Sequence, residues 1–547
     1  MSHSNVLTFS RTYANPHSAD IIMSPTTKNL SPCDYLVIGA GAGSLPFIDT
    51  LLTELPSAKI VLVDRYSAPG GHWNNDYDYV RLHQPSILYG VASKQLEGNW
   101  LKCMLKKRSL PWNYRSTKEE LLQYFQEFVD EKVAGGQLEF YPECNYDFDQ
   151  KVGASNTHTF TSIDGKTKYS VQVNEKLING VLGECKIPSQ CPPQFPVADG
   201  INMITPNQLY HEHKRGDLTS ARKKYTVLGC GKTAMDAVVY LLREMKIPSD
   251  KISWVIPADV WMIAREGTGG PWTYARALLA ADGDREKASM DLEKGGTFVR
   301  LDKDIVPTRF RFPVIGKDEL KLMKTIKNIV RKGRVTSIDL EGETIRVSFD
   351  GKGRDGQDPV WSISTSDDET VFVHCTSPGP FNGKEIEQLF PSKKEMRLFL
   401  LFAPPVSISP SLMAKLEAAR KKGTMDLEFG AELLRARSLL VNGDIPSEND
   451  ILLNLIRPFE LDGEVPGLLR SLSTLAIFFA IVDKDPTVGY EWMKSNRLSF
   501  FSIPGFKSGL FEDLTKVVKD GKKLGFTENE IEMFKILRGK LVVLKDK

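Results

Sequence analysis

Long hydrophobic runs are missing from this chain of 547 residues. The longest uncharged apolar stretch, Leu472 to Val482, falls far short of the roughly 20 residues that cross a bilayer, and it reads as a buried helix. No integral membrane segment is expected. Cysteine is scarce: seven residues, at 33, 103, 144, 185, 191, 230 and 375. An odd number at low density gives no disulfide framework. No two have the C-x-x-C or C-x4-C spacing of a redox-active pair, since Cys185 and Cys191 are separated by five residues in a proline-rich stretch. No spacing of histidine, cysteine and carboxylate suits a metal site. His211-x-His213 is the one close pair, and it reads as surface or packing residues, so no metal is expected. No G-x-S-x-G or P-loop pattern occurs. An excess of charge of one sign is absent too: 71 Lys and Arg against 69 Asp and Glu leave a formal +2. Such a chain has no global field for nucleic acid or an anionic membrane. No apolar stretch near the N-terminus resembles a secretory signal, and a cytoplasmic location is expected. Residues 1–32, rich in Ser, Asn, Thr and Pro, read as a flexible tail, with organelle import as the other reading.

What the chain does have is glycine in two matching places. Tyr35-Leu-Val-Ile runs into Gly39-Ala40-Gly41-Ala42-Gly43-Ser44, and Tyr225-Thr-Val-Leu runs into Gly229-Cys-Gly231-Lys232-Thr233-Ala234. Each reads as strand, glycine turn, helix. The first glycine of such a turn permits the tight bend, and the second lets backbone approach a pyrophosphate. The helix N-terminus then meets the negative charge. At the sixth position Ser44 replaces the glycine that usually serves close helix–strand packing, and serine is small enough to cost little. A second strand, Lys59 to Val63, ends in Asp64, an acid placed to accept the ribose hydroxyls of an adenosine. Strand, loop, helix, strand and acid together predict a dinucleotide site, and its echo 190 residues later predicts a second one.

Other elements are legible around these. Lys118 to Val133 has a helical pattern, and residues 159–173 form a hairpin about Asp164-Gly165. Residues 186–206, with five prolines, read as a linker. Leu320, Leu322, Met323, Ile326, Ile329 and Val330 fit one helix face with a solvated lysine face opposite, and 335–349 read as a second hairpin. From about 405 onward the pattern is mostly helical.

Directly after Asp64 come Arg65 and then Gly70-Gly71-His72-Trp73, followed by Tyr77-Asp-Tyr-Val-Arg81-Leu-His83-Gln84-Pro-Ser86. An acid followed by Gly-Gly-x-Trp and an arginine-containing segment resembles the class B flavin-containing monooxygenases. The stretch 34–92 is more similar still to FAD/NAD(P)-binding oxidoreductases that share Gly-Gly-His-Trp and Arg-Leu-His-Gln. The resemblance covers about 34–400 and implies an α/β protein with two Rossmann-like dinucleotide-binding domains. The FAD domain, 33–205 and 320–400, would be split by an inserted NAD(P) domain, 206–319. Val371 to Cys375 would be the closing strand of the FAD domain. A mostly helical region, 401–547, would follow, by position a cap over the substrate cavity.

The same resemblance implies the cofactors FAD and NADPH or NADH. Residues 39–44, Asp64 and Arg65 would hold the FAD. Gly71, His72, Trp73, Arg81, His83 and Gln84 would shape the flavin site, with Arg81 and His83 as candidate catalytic residues. Gly229, Gly231, Lys232, Thr233 and Ala234 would hold the nicotinamide dinucleotide. It implies that NAD(P)H reduces the flavin and that dioxygen then forms a C4a-(hydro)peroxyflavin, which oxygenates a small organic substrate. Two departures leave other readings open. An arginine that reads the NADP 2′-phosphate in these relatives has no counterpart at Ile256-Pro257-Ala258, where Asp259 follows instead. The histidine of the Phe-x-Gly-x-x-x-His fingerprint is missing after Phe195 to Gly200. A flavin dehydrogenase, reductase or oxidase that never oxygenates is one alternative, and a non-catalytic flavin-binding regulator is the other.

Overall fold

The computed structural model describes residues 25–98, 114–181, 187–218, 223–267, 276–307, 309–354, 358–365, 369–377, 392–398, 407–423, 492, 495–499, 510–523, 528, 531, 532, 535 and 538. The two glycine turns each begin a separate parallel sheet. In the first sheet, Cys33–Ile38 lies between Ile60–Val63 and the long strand Thr167–Asn179, and Leu138–Tyr141 pairs beyond Ile60–Val63. Leu36, Val37, Val61, Leu62 and Val63 are almost fully buried, as expected of parallel strands covered on both faces. Thr167–Asn179 serves two sets of contacts. Its second half runs parallel to Cys33–Ile38, while its first half pairs antiparallel with Thr157–Ser162 across the Gly165 turn.

Helix Ser44–Glu54 covers this sheet with Phe47, Ile48, Leu51 and Leu52. Helix Lys118–Ala134 begins with a capping box between Thr117 and Glu120 and buries Leu121, Tyr124, Phe125, Phe128 and Val129, a helical stripe. Fully burying each such side chain contributes about 1.5–3 kcal/mol. Two further strands join the long one in parallel: Thr26–Asn29, at Thr167 to Ser170, and Glu395–Arg397, at Leu177 to Asn179. The expected tail therefore gives way to a strand by residue 26.

The second sheet places Lys223–Leu228 at its centre. Ile252–Val255 and then Asn328–Val330 lie on one side, and Glu369–His374 and Met203–Ile204 on the other, all parallel. Its strands fall in sequence between Asn179 and Glu395 of the first sheet, so one sheet is nested within the other along the chain. Helix Lys232–Arg243 packs on it through Met235, Val238 and Leu241. Val335–Glu341, Thr344–Phe349 and Val360–Ser364 form an antiparallel sheet, the expected hairpin plus one strand.

Three expectations change. Val371 to Cys375 does not close the first sheet: Val371 and Val373 lie beside Tyr225 and Val227 in the second. A buried parallel strand looks the same in either sheet, and only long-range register decides. The strands between 320 and 374 accordingly lie outside the first sheet. The helix expected over 320–330 stops at Met323, and Asn328–Val330 is a strand against Ser253 to Val255. Finally, Ile408–Lys421, assigned by position to the C-terminal region, packs along Ser44–Glu54 and joins the first core through Leu412, Met413 and Leu416. A buried ionic cluster fixes it: Lys176 lies 3.2 Å from Glu417, Tyr35 donates to Glu417 at 3.2 Å, and Arg420 bridges Glu417 and Glu175. The segment Leu472 to Val482 and residues 1–24 lie outside the described residues. Among the described residues no helix is long and apolar enough to cross a membrane, and no cluster of His, Cys, Asp and Glu suits a metal ion.

Candidate functional site

Both glycine turns are built alike. Gly39 (φ +92°) donates its N–H to the carbonyl of Val63, at the end of the second strand, at 2.8 Å. Gly229 (φ +126°) donates to Val255, the corresponding residue, at 3.0 Å. A side chain is excluded at each for the same reason. A Cβ on Gly39 would lie 2.8 Å from Val181 Cγ1, and one on Gly229 would lie 3.1 Å from the carbonyl oxygen of Cys375.

The first turn is roofed by the Gly70-Gly71 turn. Gly70 donates to the carbonyl of Ala40 at 2.8 Å, and a Cβ on Gly71 (φ +60°) would stand 3.1 Å from Gly41 Cα. Two backbones meet here, tightest at Gly71, where the positive φ also disfavours a side chain. Asp64 is nearly buried and accepts from the N–H of Ala40 and, at 2.7 Å, of Tyr66. Burial raises its pKa, and those two donors oppose the rise. Ser44 is fully buried with its hydroxyl against Gly180, whose Cβ would lie 1.8 Å from Ser44 Oγ. The glycine that Ser44 replaces is thus compensated by one on the neighbouring strand end. Helix Ser44–Glu54 has no acid in its first turn and no side-chain cap at Gly43, leaving its positive end for an anion. The donor chemistry, the close-approach glycines and the acid fit an adenine dinucleotide such as FAD.

Trp73 is buried, edge-on to Tyr89, and its indole N–H donates to the Tyr89 hydroxyl at 2.9 Å. His72 is partly exposed and lies 3.7 Å from Asp76. Burial pushes the Asp76 carboxyl up to about 7, with the Lys118 ammonium opposing it. Arg81 is exposed and donates to the Arg115 carbonyl at 3.2 Å, and Gln84 donates to the Leu88 carbonyl at 3.2 Å, so both anchor loop backbone. Arg65 is exposed as well. The His83 imidazole is pulled down to about 4 by burial first and then by Lys232, which keeps it neutral at pH 7. His83, expected to shape the flavin site, thus also feels the field of Lys232 at the second turn.

That second turn is open where the first is roofed. Gly231, at the N-cap of Lys232–Arg243, is exposed, and a Cβ there would meet nothing within 4 Å. Thr233 is half-buried and Ala234 fully buried. Lys232 departs from expectation: it is buried and its ammonium turns back to Asp236, one helical turn on, rather than outward over the loop.

Sequence reasoning missed the seam between the two sheets. Tyr77 donates to Asp236 at 2.9 Å, and Tyr79 stacks on Tyr240 with ring centroids 4.2 Å apart. The Tyr79 hydroxyl is buried with no hydrogen-bond partner among the described residues. Arg265 and Arg115 reach Glu319 at 2.6 and 3.7 Å. Glu319 is held down to about 2 because Lys232, Arg265 and Arg115 outweigh its burial. Asp236 four residues after Lys232 and the Tyr-x-Tyr spacing were the available signals. His211 is exposed, 3.5 Å from Asp78, and His213 meets the Tyr240 hydroxyl at 2.8 Å, the surface and packing roles expected of them. The open backbone at Gly231 fits a second, exchangeable dinucleotide.

No family model matches the chain. An uncharacterized protein of Mycobacterium tuberculosis is 34% identical over 357 residues, 63% of this chain and 60% of that protein, and one of Mycobacterium bovis matches equally. The chain thus spans about 60% of the length of the curated relatives it matches. Among solved structures, an ornithine N-hydroxylase of Kutzneria sp. 744 is 12% identical, with 66% of this chain and 86% of that one covered at a TM-score of 0.41. A cyclohexanone monooxygenase is 14% identical, with 73% and 88% covered at 0.43.

Proposed function

We propose that the chain is an FAD-dependent, NAD(P)H-using oxidoreductase that acts as a monooxygenase on a small organic molecule with dioxygen as co-substrate. The observation that carries this reading is the pair of glycine turns, built on one plan and joined by one seam. The domain division proposed is an FAD unit of 33–205 rejoined by Glu395–Arg397, with an inserted unit that the nested second sheet carries from Met203 to His374, beyond the 206–319 expected. When bound, FAD supplies the redox chemistry, accepting a hydride from the nicotinamide and passing electrons on.

The chain's own residues divide the remaining work. Gly39, Gly41 and the Ser44–Glu54 helix end hold the diphosphate, and Asp64 takes the ribose. The Gly70-Gly71 turn closes over that end and excludes water. Trp73 offers a flat apolar wall. Arg81 keeps the loop before His83 in register, and His83, neutral at pH 7, supplies one donor and one acceptor without adding charge. Gly231 leaves backbone open to the incoming coenzyme. The tyrosine seam shields the space between the two turns.

Anaerobic titration of the purified flavoprotein with NADPH and NADH, followed by admission of ¹⁸O-labelled dioxygen and candidate substrates, tests the reading. Bleaching of the flavin band and labelled product support it. Bleaching with peroxide alone and no labelled product leaves a dehydrogenase or oxidase. A yellow protein that neither coenzyme bleaches overturns the enzymatic reading.

A further inference from the structure

The second turn has no acid directly after its second strand, where Asp64 stands in the first; Ile256 takes that place. A small apolar cleft nevertheless runs from Cys230 of the glycine turn past Ile256 and Ala258 to Asp259. The cleft has room for about one water, at 10 Å³, so the adenosine ribose of a dinucleotide would lie over it, between the turn and the end of the second strand, rather than inside it. Asp259 is the carboxylate that borders it. Its partner arrives from the next strand: Arg331, just after Asn328–Val330, donates from Nε to Oδ2 at 2.9 Å and from Nη2 to Oδ1 at 3.2 Å. The forked geometry spends one face of the guanidinium on this carboxylate. Asp302 lies 3.6 Å from Nη2 of the same arginine. Both members of the central pair are nearly buried, with 9% and 11% of their side chains exposed. Lys232, the cation of the glycine turn, is turned to Asp236.

Charge decides what this cleft accepts. Asp259 and Asp302 bring two negative charges and Arg331 one positive, a local excess of one negative. A ribose 2′-hydroxyl donates to a carboxylate there at no electrostatic cost. A 2′-phosphate would add up to two further negative charges beside Asp259, and its natural partner, Arg331, is already engaged. We propose that Asp259, held in place by Arg331, selects NADH over NADPH at the second glycine turn. This inference rests on the reading of that turn as the nicotinamide-dinucleotide site.

The test is calorimetric titration of the flavin-loaded protein with NAD⁺, NADP⁺, 5′-AMP and 2′,5′-ADP, in the wild type and in Asp259→Asn. Wild type is expected to bind NAD⁺ and 5′-AMP at least about tenfold more tightly than their 2′-phosphorylated partners, since like charges in contact cost that much or more. Asp259→Asn keeps an acceptor, removes the charge and leaves Arg331 with Asp302, at 3.6 Å, as its carboxylate partner. It is expected to lose that preference and to gain affinity for NADP⁺ and 2′,5′-ADP, with flavin content unchanged. Tighter wild-type binding of NADP⁺ overturns the assignment, and so does an unchanged preference in a folded Asp259→Asn protein. If none of the four compounds binds while flavin is retained, the reading of the second turn falls, and this inference with it.

Discussion

The two glycine turns share a backbone plan and differ in what surrounds them. Gly41 lies against Gly71 and the first turn is half-buried under that backbone, whereas Gly231 is exposed and faces open space. The acid at the first turn lies at the strand end and bonds the loop itself, while the acid near the second is four residues beyond its strand end and ion-paired. A roofed site suits a group that stays bound through every turnover, and an open one suits a group that must leave. One motif thus serves a resident and a visitor, and the difference is written in the neighbours rather than in the motif.

The largest effect should come from disturbing that roof. Gly71→Val puts a β-branched side chain at φ +60° with its Cβ 3.1 Å from Gly41 Cα, which neither backbone can accommodate without moving. The variant is expected to purify without flavin, as read by absorbance near 450 nm, a wavelength characteristic of the cofactor.

Next is a pH effect confined to the roofed side. The Asp76 carboxyl is raised to about 7 in the folded chain, against about 3.9 when unfolded. Between those values the folded state keeps a proton that the unfolded state has lost, so stability falls as pH rises through that window. Asp76→Asn removes this slope and gains stability at pH 8, by up to about 4 kcal/mol. Urea unfolding of both proteins at pH 5 and pH 8 gives the difference directly. An equal gap at the two pH values would remove the basis for a buried, protonated Asp76.

A smaller loss is expected when the roofed side is detached from its outer support. Arg497 donates to the carbonyls of Ile87, Tyr89, Val91 and Lys94, and so shapes the loop that presents Tyr89 to Trp73. Arg497→Ala should cost about 2–3 kcal/mol in thermal unfolding, because several buried carbonyls lose charged donors together. Flavin affinity should fall with it, while affinity for the nicotinamide coenzyme stays as it was.

The smallest effect on stability belongs to the open turn. Gly231 has φ −80°, and an added Cβ would have nothing within 4 Å, so Gly231→Ala should change stability by less than about 1 kcal/mol. The same methyl should weaken coenzyme binding measurably in a titration. A large loss of stability there would erase the contrast between the turns.

Much of this contrast was hidden in the sequence for a physical reason. Both turns, their strands and helices, Asp64 and the two hairpins follow local rules of period, turn chemistry and capping, and each is legible within a window of a few tens of residues. The roof over Gly41 comes from Gly70-Gly71, whose resemblance to a known turn was readable but whose contact was not. Lys232 was expected to face a phosphate because its helix position favours one, yet Asp236 one turn later, itself held by the loop residue Tyr77, draws the ammonium away. Arg331 and Asp259 are 72 residues apart, and no local pattern announces their pairing. Val371 to Cys375 reads as a buried strand in any sheet, so its composition could not assign it to the second. Ile408–Lys421 carries an ordinary amphipathic pattern, and its packing on Ser44–Glu54 and the cluster of Lys176, Tyr35 and Glu417 tie it to the first unit only in three dimensions.

The proposed function stands or falls with a flavin in the roofed turn at Gly39 to Ser44. Equilibrium binding of FAD to the purified, flavin-stripped chain, followed by flavin fluorescence, probes this without any knowledge of the substrate. Saturable, stoichiometric binding that quenches the flavin is expected, abolished by Gly71→Val and left intact by Gly231→Ala. A chain that takes up no FAD, or one whose uptake survives Gly71→Val and is lost in Gly231→Ala, would refute the assignment of the resident cofactor to the first turn.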